Sequence, residues 1–213
     1  MKKTPVSEME NRMGKFKEVM SAVDPEWDMA VIFSNINLFY FTGTMQDGML
    51  IIPRDDHAVF WVRRSFERAI DESLFKDIRP MNSFADAQVT FSQRKLPSKV
   101  YMETEIVPLA LYQRFQKYFP FEEVKSVDRI ISSVRAVKSQ YELSLMEKAG
   151  EIHTRVLDKR IPEVLKEGMS EAELATQLFN ILMEEGFQGI TRFGMFDTDV
   201  MLGHIGFGES SIY

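Results

Sequence analysis

Asp197, Asp199 and His204 are the residues whose types and spacing first suggest chemistry. Two carboxylates separated by one residue share a face when the backbone is extended. With a nearby imidazole they make a donor set suited to a divalent ion. The competing reading is a polar turn between two strands at Asp197-Thr-Asp199, with His204 hydrogen-bonded to backbone. It is preferred, because polar clusters of this kind are commonly turn chemistry. Arg63 and Arg64 follow an apolar run that ends at Val62, where paired guanidinium groups can clamp a carboxylate or phosphate bidentately. Their favoured alternative is to solvate the start of the next helix and pair with Glu67 or Asp71, an exposed arrangement of small energy. Tyr40 and Phe41 present either an aromatic binding surface or a plug at the edge of the core, the plug being favoured. His153 falls inside an amphipathic helical pattern, which suits a structural role, and His57 opens a strand and is expected to be simply exposed. No HExxH helix, phosphate-binding P-loop or Gly-x-Ser-x-Gly elbow occurs, and the glycines of GHIGFG do not have dinucleotide-binding spacing.

The elements that position these residues can be read from periodicity. Ser7 and Glu10 have capping-box spacing, and Met9, Met13, Phe16 and Met20 recur at helical intervals, so a helix is expected to run to about Ala22. Met29 to Phe33 suits a buried strand. Asn35 to Gly43 reads as a brief aromatic helix or turn closed by glycine. Gly48 to Ile52 and Ala58 to Val62 flank Pro53-Arg-Asp-Asp56, a hairpin signal. Helices are expected over Arg64 to Ser73, Phe84 to Phe91 and Pro108 to Phe119, the last opening on proline. Strands are expected at Val100 to Met102 and Phe121 to Val124. One hairpin with several crossovers predicts a mixed sheet covered by helices, an α/β fold.

From Val127 to Gly186 the pattern turns helical, with no convincing strand. Tyr141, Leu145, Ala149, Ile152 and Val156 line a long helix that Pro162 interrupts or kinks, and Gly168 stops it. Ser170 and Glu173 form a second capping box, with Leu174, Leu178, Ile181 and Leu182 behind it. A stiff junction between about Val134 and Gln140 divides the chain into residues 1–134 and 135–213. The glycine-rich stretch from Gly189 ends in mid-motif, so Tyr213 is expected to be a truncation point.

Composition narrows the class. The 213 residues are 45% apolar and 27% charged, an ordinary globular balance, with a net charge of −6. That charge argues against nucleic acid as the partner and gives no support for an anionic membrane surface. Apolar runs fall short of the roughly 20 residues a membrane span needs. Cysteine is absent, which removes disulfides, thiolate catalysis and zinc–cysteine sites. MKKTPVSEMENRM has no apolar core behind its lysines and does not read as a signal peptide, so a cytoplasmic address is expected.

Several segments taken in order resemble one family. Asn37-Leu-Phe-Tyr-Phe-Thr-Gly43 is similar to the "nirYLTG" segment of creatinase-type N-terminal domains. Leu50 to Pro53 with Trp61-Val-Arg-Arg-Ser-Phe-Glu-Arg68 resembles the strand–turn–strand and "VRRsyERA" stretch of aminopeptidase P-like members. ISSVRAVKSQYELSLMEKA, residues 131–149, resembles the "iRxvKSxxEixxmrxA" junction through Arg135, Lys138, Ser139, Glu142, Met146 and Ala149. Glu167 to Leu174 resembles the "eGmtExEla" opening of a catalytic-domain helix. The family is that of creatinase, aminopeptidase P and prolidase.

This resemblance implies a ribonuclease-H-like mixed sheet flanked by helices, followed by the mainly helical start of an α+β "pita-bread" catalytic domain. It implies a homodimeric Xaa-Pro-type metallopeptidase that hydrolyses short proline-containing peptides. Two divalent metal ions (Mn, Co or Zn) would ionise a water in the full protein. The family's ligands, two aspartates, a histidine and two glutamates, lie beyond residue 213. Asp197 and Asp199 stand too close together to match them, and His204 precedes the glycines that the family's substrate-facing histidine follows. No catalytic or metal residue is therefore expected in this chain, which alone should be inactive. Arg63, Arg64 and Tyr40 become candidates for a substrate rim in a gating, dimerising domain. The alternatives are a non-catalytic scaffold relative and a creatinase-like hydrolase that works without metal, and the residues beyond 213 discriminate among them.

Overall fold

A computed structural model describes residues 3–91, 97–192 and 199–212. The chain forms two compact units, Met1–Val137 and Lys138–Tyr213. Among the described residues no helix is long and apolar enough to cross a membrane.

The first unit opens with α1 (Val6–Val23), β1 (Met29–Ile32), α2 (Asn35–Thr42), β2 (Gly48–Pro53) and β3 (Val59–Val62). It continues with α3 (Phe66–Glu72), β4 (Ile78–Pro80), α4 (Phe84–Phe91), β5 (Lys99–Met102), α5 (Leu109–Gln116), β6 (Glu123–Ser126) and α6 (Asp128–Ala136). The strands make one six-stranded sheet in the order β4-β3-β2-β1-β5-β6. β2 runs antiparallel to both β1 and β3, whereas β1–β5, β3–β4 and β5–β6 are parallel. The mixed sheet and the β2–β3 hairpin are as the sequence predicts. The three-residue strand β4 has no counterpart in the sequence reading, because Ile78-Arg79-Pro80 is an edge strand with a single aliphatic residue and no alternation to detect.

The central strands are buried on both faces, which is why they read as continuous apolar runs. Alternate side chains feed two core layers. Ala30, Ile32, Leu50, Ile52, Phe60, Val62 and Tyr101 pack with Phe16, Phe41 and Ile131 of α1, α2 and α6. Val31, Met49, Ile51, Trp61, Val100 and Met102 pack on the other face with Phe91 of α4 and Phe115 of α5. Two glycines permit close approach. Gly43 caps α2 with φ of 76°, and its N–H donates to the Phe39 carbonyl. A Cβ at Gly48 would lie 2.2 Å from the Trp61 carbonyl oxygen, so only glycine fits where β2 starts against β3.

The start of α1 differs from expectation. Pro5, extended at φ −60° and ψ 146°, stands at the N-cap, and its carbonyl accepts the N–H groups of Glu8 and Met9. The helix therefore begins before Ser7, and the Ser7–Glu10 capping box does not form.

The second unit contains α7 (Gln140–Arg155), a π-helical turn (Val156–Arg160), α8 (Ile161–Val164) and α9 (Glu171–Glu184). It ends in the short ladder of β7 (Thr191–Arg192) with β8 (Asp199–Val200) and a 3-10 turn at Gly208–Ile212. The predicted break at Pro162 takes the form of the π turn, which leads into α8 with the proline in its first turn, where a missing N–H costs least. Ser170 and Glu173 form the capping box expected of them. Ser139 and Glu142, recognised in the sequence only as part of a family-like junction, form another at α7.

Candidate functional site

Three strand ends and the start of a fourth meet along one edge of the sheet. β1 runs out at Phe33, β3 at Arg63 and β4 at Met81, while β2 begins at Gly48. In open α/β sheets the loops beyond the carboxyl ends of strands are where ligands are bound, because side chains there are held by rigid strands yet face solvent. A cleft of about 370 Å³ occupies this edge, floored by Phe33, Met81 and Phe84 and rimmed by Asp47, Arg63 and Lys117.

The β2–β3 register explains the rim. Gly48 lies opposite Val62, so the residues just outside the ladder, Asp47 and Arg63, are brought together. The Arg63 backbone N–H donates to the Asp47 carbonyl at 2.8 Å. The Arg63 guanidinium donates twice to Asp47 Oδ2, at 3.1 Å from Nε and 2.8 Å from Nη2. Arg64 Nε is 4.0 Å from the same oxygen, and its side chain is 77% exposed. The ion pairs thus run to Asp47 rather than to the expected Glu67 or Asp71, because strand pairing delivers Asp47 beside Arg63. Ser65, the next residue, sits at φ 57° in the left-handed region, so the chain turns sharply as it leaves the arginine pair.

Tyr40 does not share this edge. It is 7% exposed and belongs to the core layer on the opposite face of the sheet from Met81 and Phe84. The Arg12 guanidinium lies 4.3 Å and that of Arg135 5.7 Å from its ring centroid. Burial and cation–π attraction to two guanidinium groups suit the core-edge plug expected of Tyr40.

A carboxylate that the sequence reading passed over sits behind the same edge. Glu103, immediately after β5, is fully buried. Its Oε2 accepts the N–H groups of Phe33 and Ser34, at 2.6 and 2.9 Å, and its Oε1 accepts from Asn37 Nδ2 at 2.7 Å. Arg135 of α6 donates to Asn37 Oδ1 at 2.8 Å, which extends the network to the end of the unit. Burial pushes the Glu103 carboxyl up from the ordinary glutamate value, against the pull of its three donors. The network fixes the β1–α2 turn that supports Phe33. Its one sequence signal is a lone acidic residue directly following an apolar strand.

In the second unit, Asp199 stands opposite Arg192 in the β7–β8 ladder. His204 Nε2 is 2.8 Å from the Ser210 carbonyl oxygen, to which it donates. Asp197 lies outside the described residues. Among the described residues no group of three or more His, Cys, Asp and Glu side chains is gathered as a metal ion needs. His57 is exposed but tethered, with Nδ1 2.8 Å from Asp56 and Nε2 3.1 Å from Asp77. His153 Nδ1 donates to the Ala149 carbonyl one turn earlier on α7.

Comparison with known proteins agrees with this architecture. An uncharacterized peptidase of Staphylococcus epidermidis is 27% identical over 198 residues, covering 90% of this chain and 54% of the relative. An Xaa-Pro dipeptidase of Pyrococcus furiosus is 24% identical over 198 residues, covering 92% and 53%. Among solved structures, the prolidase from Pyrococcus furiosus superposes with a TM-score of 0.68 at 22% identity, over 83% of this chain and 54% of that one. The Xaa-Pro dipeptidase from Bacillus anthracis superposes with a TM-score of 0.71 at 15% identity, over 84% and 50%. At these identities the structures speak for the fold alone. The chain spans about half the length of the relatives it matches. The family model described as the Creatinase/Prolidase N-terminal domain matches residues 12–137, more than half of the chain. The chain therefore belongs to the creatinase/prolidase N-terminal domain family.

Proposed function

We propose that this chain is the N-terminal portion of an Xaa-Pro-type peptidase that hydrolyses short proline-containing peptides. The observation that supports this reading is that a relative named as an Xaa-Pro dipeptidase aligns over 92% of the chain, and so across both compact units. In this reading residues 1–134 gate access of substrate and support a homodimer, and residues 135–213 open the catalytic domain. Arg63 and Arg64 form part of the rim, with Arg64 the more available of the two for a peptide carboxylate. Tyr40 acts from behind, by holding Arg12 and Arg135. Two divalent ions (Mn, Co or Zn) are held by residues of the whole protein that this chain does not include, and a cytoplasmic address is part of the same proposal.

The test compares the 213-residue chain with the whole protein on Xaa-Pro dipeptides and on tripeptides with proline second, with and without added manganese. The expected outcome is release of proline or of the residue before it by the metal-loaded whole protein, and none by the 213-residue chain. Cleavage by that chain would overturn the assignment of the chemistry to other residues. A metal-loaded whole protein that leaves every proline peptide intact would overturn the peptidase reading in favour of a scaffold.

A further inference from the structure

The cleft at the carboxyl ends of β1, β3 and β4 has features that a substrate rim does not require. Its apolar wall is aromatic and held in place from behind. Phe84 meets the rings of Phe33, Phe115 and Tyr118 edge-on, at centroid distances of 6.1, 5.5 and 6.4 Å. Phe33, Phe84 and Tyr118 are only half-buried, so part of each ring faces the cleft. Edge-to-face packing of this kind fixes ring orientation and leaves a shaped apolar surface.

The charge around that wall is lopsided. Arg63, Arg114 and Lys117 line the cleft against a single carboxylate, Asp47, on a chain whose net charge is −6. Arg63 is already engaged by Asp47. Among the described residues Arg114 donates from Nε to the Ala110 carbonyl, at 3.3 Å, and its Nη groups have no hydrogen-bond partner. Lys117 is exposed at the end of α5, three residues from Arg114 and on the same side of the helix. The other place for an anion, the start of α4, is taken: Asp86 Oδ2 accepts the N–H groups of Asn82 and Ser83 at 2.7 and 3.0 Å. A cavity of about 370 Å³ with an apolar wall and a few convergent polar groups has the dimensions of a small-molecule site.

We propose that this cleft binds a small organic anion with a flat apolar body, of the arylalkanoate class. The carboxylate lies between Arg114 and Lys117, and the ring lies on Phe33, Met81 and Phe84. The cleft is contained in the first unit and needs no catalytic residue, so the proposal does not rest on the peptidase reading. The alternative role for the two cations is to complement the carbonyl end of α5, which would make them indifferent to a ligand.

The experiment titrates the 213-residue chain, with its methionine and leucine methyl groups labelled, with 3-phenylpropionate and with the isosteric neutral 3-phenylpropionamide. Saturable shifts are expected at Met81 and Leu111, with a dissociation constant for the acid on the order of 1 mM, as suits a ligand of this size. The amide should bind about five- to tenfold more weakly, the discrimination that a partly exposed charge-assisted pair supports. The double variant Arg114→Gln, Lys117→Gln should bind acid and amide alike, with the amide affinity unchanged; this also shows that the variant is folded. The proposal is overturned if neither compound moves Met81 and Leu111. It is overturned equally if the wild type binds acid and amide alike, or if the double variant keeps its preference for the acid.

Discussion

At the scale of single residues, Glu103 and Asp24 of the first unit respond to pH in opposite senses. Glu103 satisfies two backbone donors at the β1–α2 turn and the Asn37 amide. Glu103→Ala leaves all three unpaired in the interior, and a loss of about 2–4 kcal/mol is expected in urea unfolding. Its raised pKa gives a pH signature of definite sign. The folded chain holds a proton that the unfolded chain releases above the ordinary glutamate value. This group therefore lowers stability as pH rises through that window, and the slope should vanish in Glu103→Gln. Asp24 shows the opposite case. Donation from Lys99 and then Tyr101 holds its carboxyl well below the usual range, so its contribution is present above about pH 4 and is lost as acid reaches that lower value. Burial, together with the bond to Asp24, pushes the Tyr101 phenol up to about 12. Absorbance titration at alkaline pH should show a late phenol that Tyr101→Phe removes. All tyrosines of the folded chain ionising together near pH 10 would contradict this. The stability that Tyr101 contributes is complete below its unfolded value near 10 and is lost as pH rises towards 12.

Elements show where local sequence prevails and where it yields. Ser139 and Ser170 each accept the N–H of the glutamate three residues on, at 3.1 and 3.2 Å, and each glutamate returns a bond to the cap backbone. Either serine changed to alanine should cost about 1 kcal/mol, read from denaturant midpoints. Ser7–Glu10 has the same spacing and makes no box, because Pro5 starts the helix before Ser7. Spacing identifies a possible cap, and the neighbouring backbone decides whether it is used. Gly48→Ala tests a different limit. The added methyl meets the Trp61 carbonyl and the Phe60 ring, so strand β2 must move. A loss of at least about 3 kcal/mol is expected, with weakened protection of the β2–β3 amides in hydrogen exchange. The same displacement would shift Asp47 and with it the Arg63 pair.

For the molecule as a whole, the two units are unequal. The first contains both core layers. In the second, the buried apolar residues among those described are Val156, Leu174 and Ile181, and α7 buries none of its side chains. Leu145, Met146, Leu157 and Met183 are exposed. So little buried apolar area cannot offset much chain entropy, and the second unit of the 213-residue chain should open far more readily than the first. Hydrogen exchange should therefore find fast amides throughout α9 beside slow ones in β1, β2 and β5. Equal protection in α9 and β1 would show that the second unit has a stabilising source outside its own core.

The sequence by itself determined the class of fold, the β2–β3 hairpin, the glycine that ends α2, the capping box at α9 and the family to which the first unit belongs. All of these depend on local periodicity or on neighbouring residues, and so they are written into short windows of chain. Only the tertiary structure decided that Arg63 faces Asp47, that Tyr40 is a buried ring with two guanidinium groups near it, and that Glu103 anchors the β1–α2 turn. It alone brought Phe33, Met81, Phe84, Arg114 and Lys117 around one cleft. These contacts join residues tens of positions apart across parallel crossovers, where the register of strands and the packing of helices set the partner. No spacing rule within a single window can supply that information.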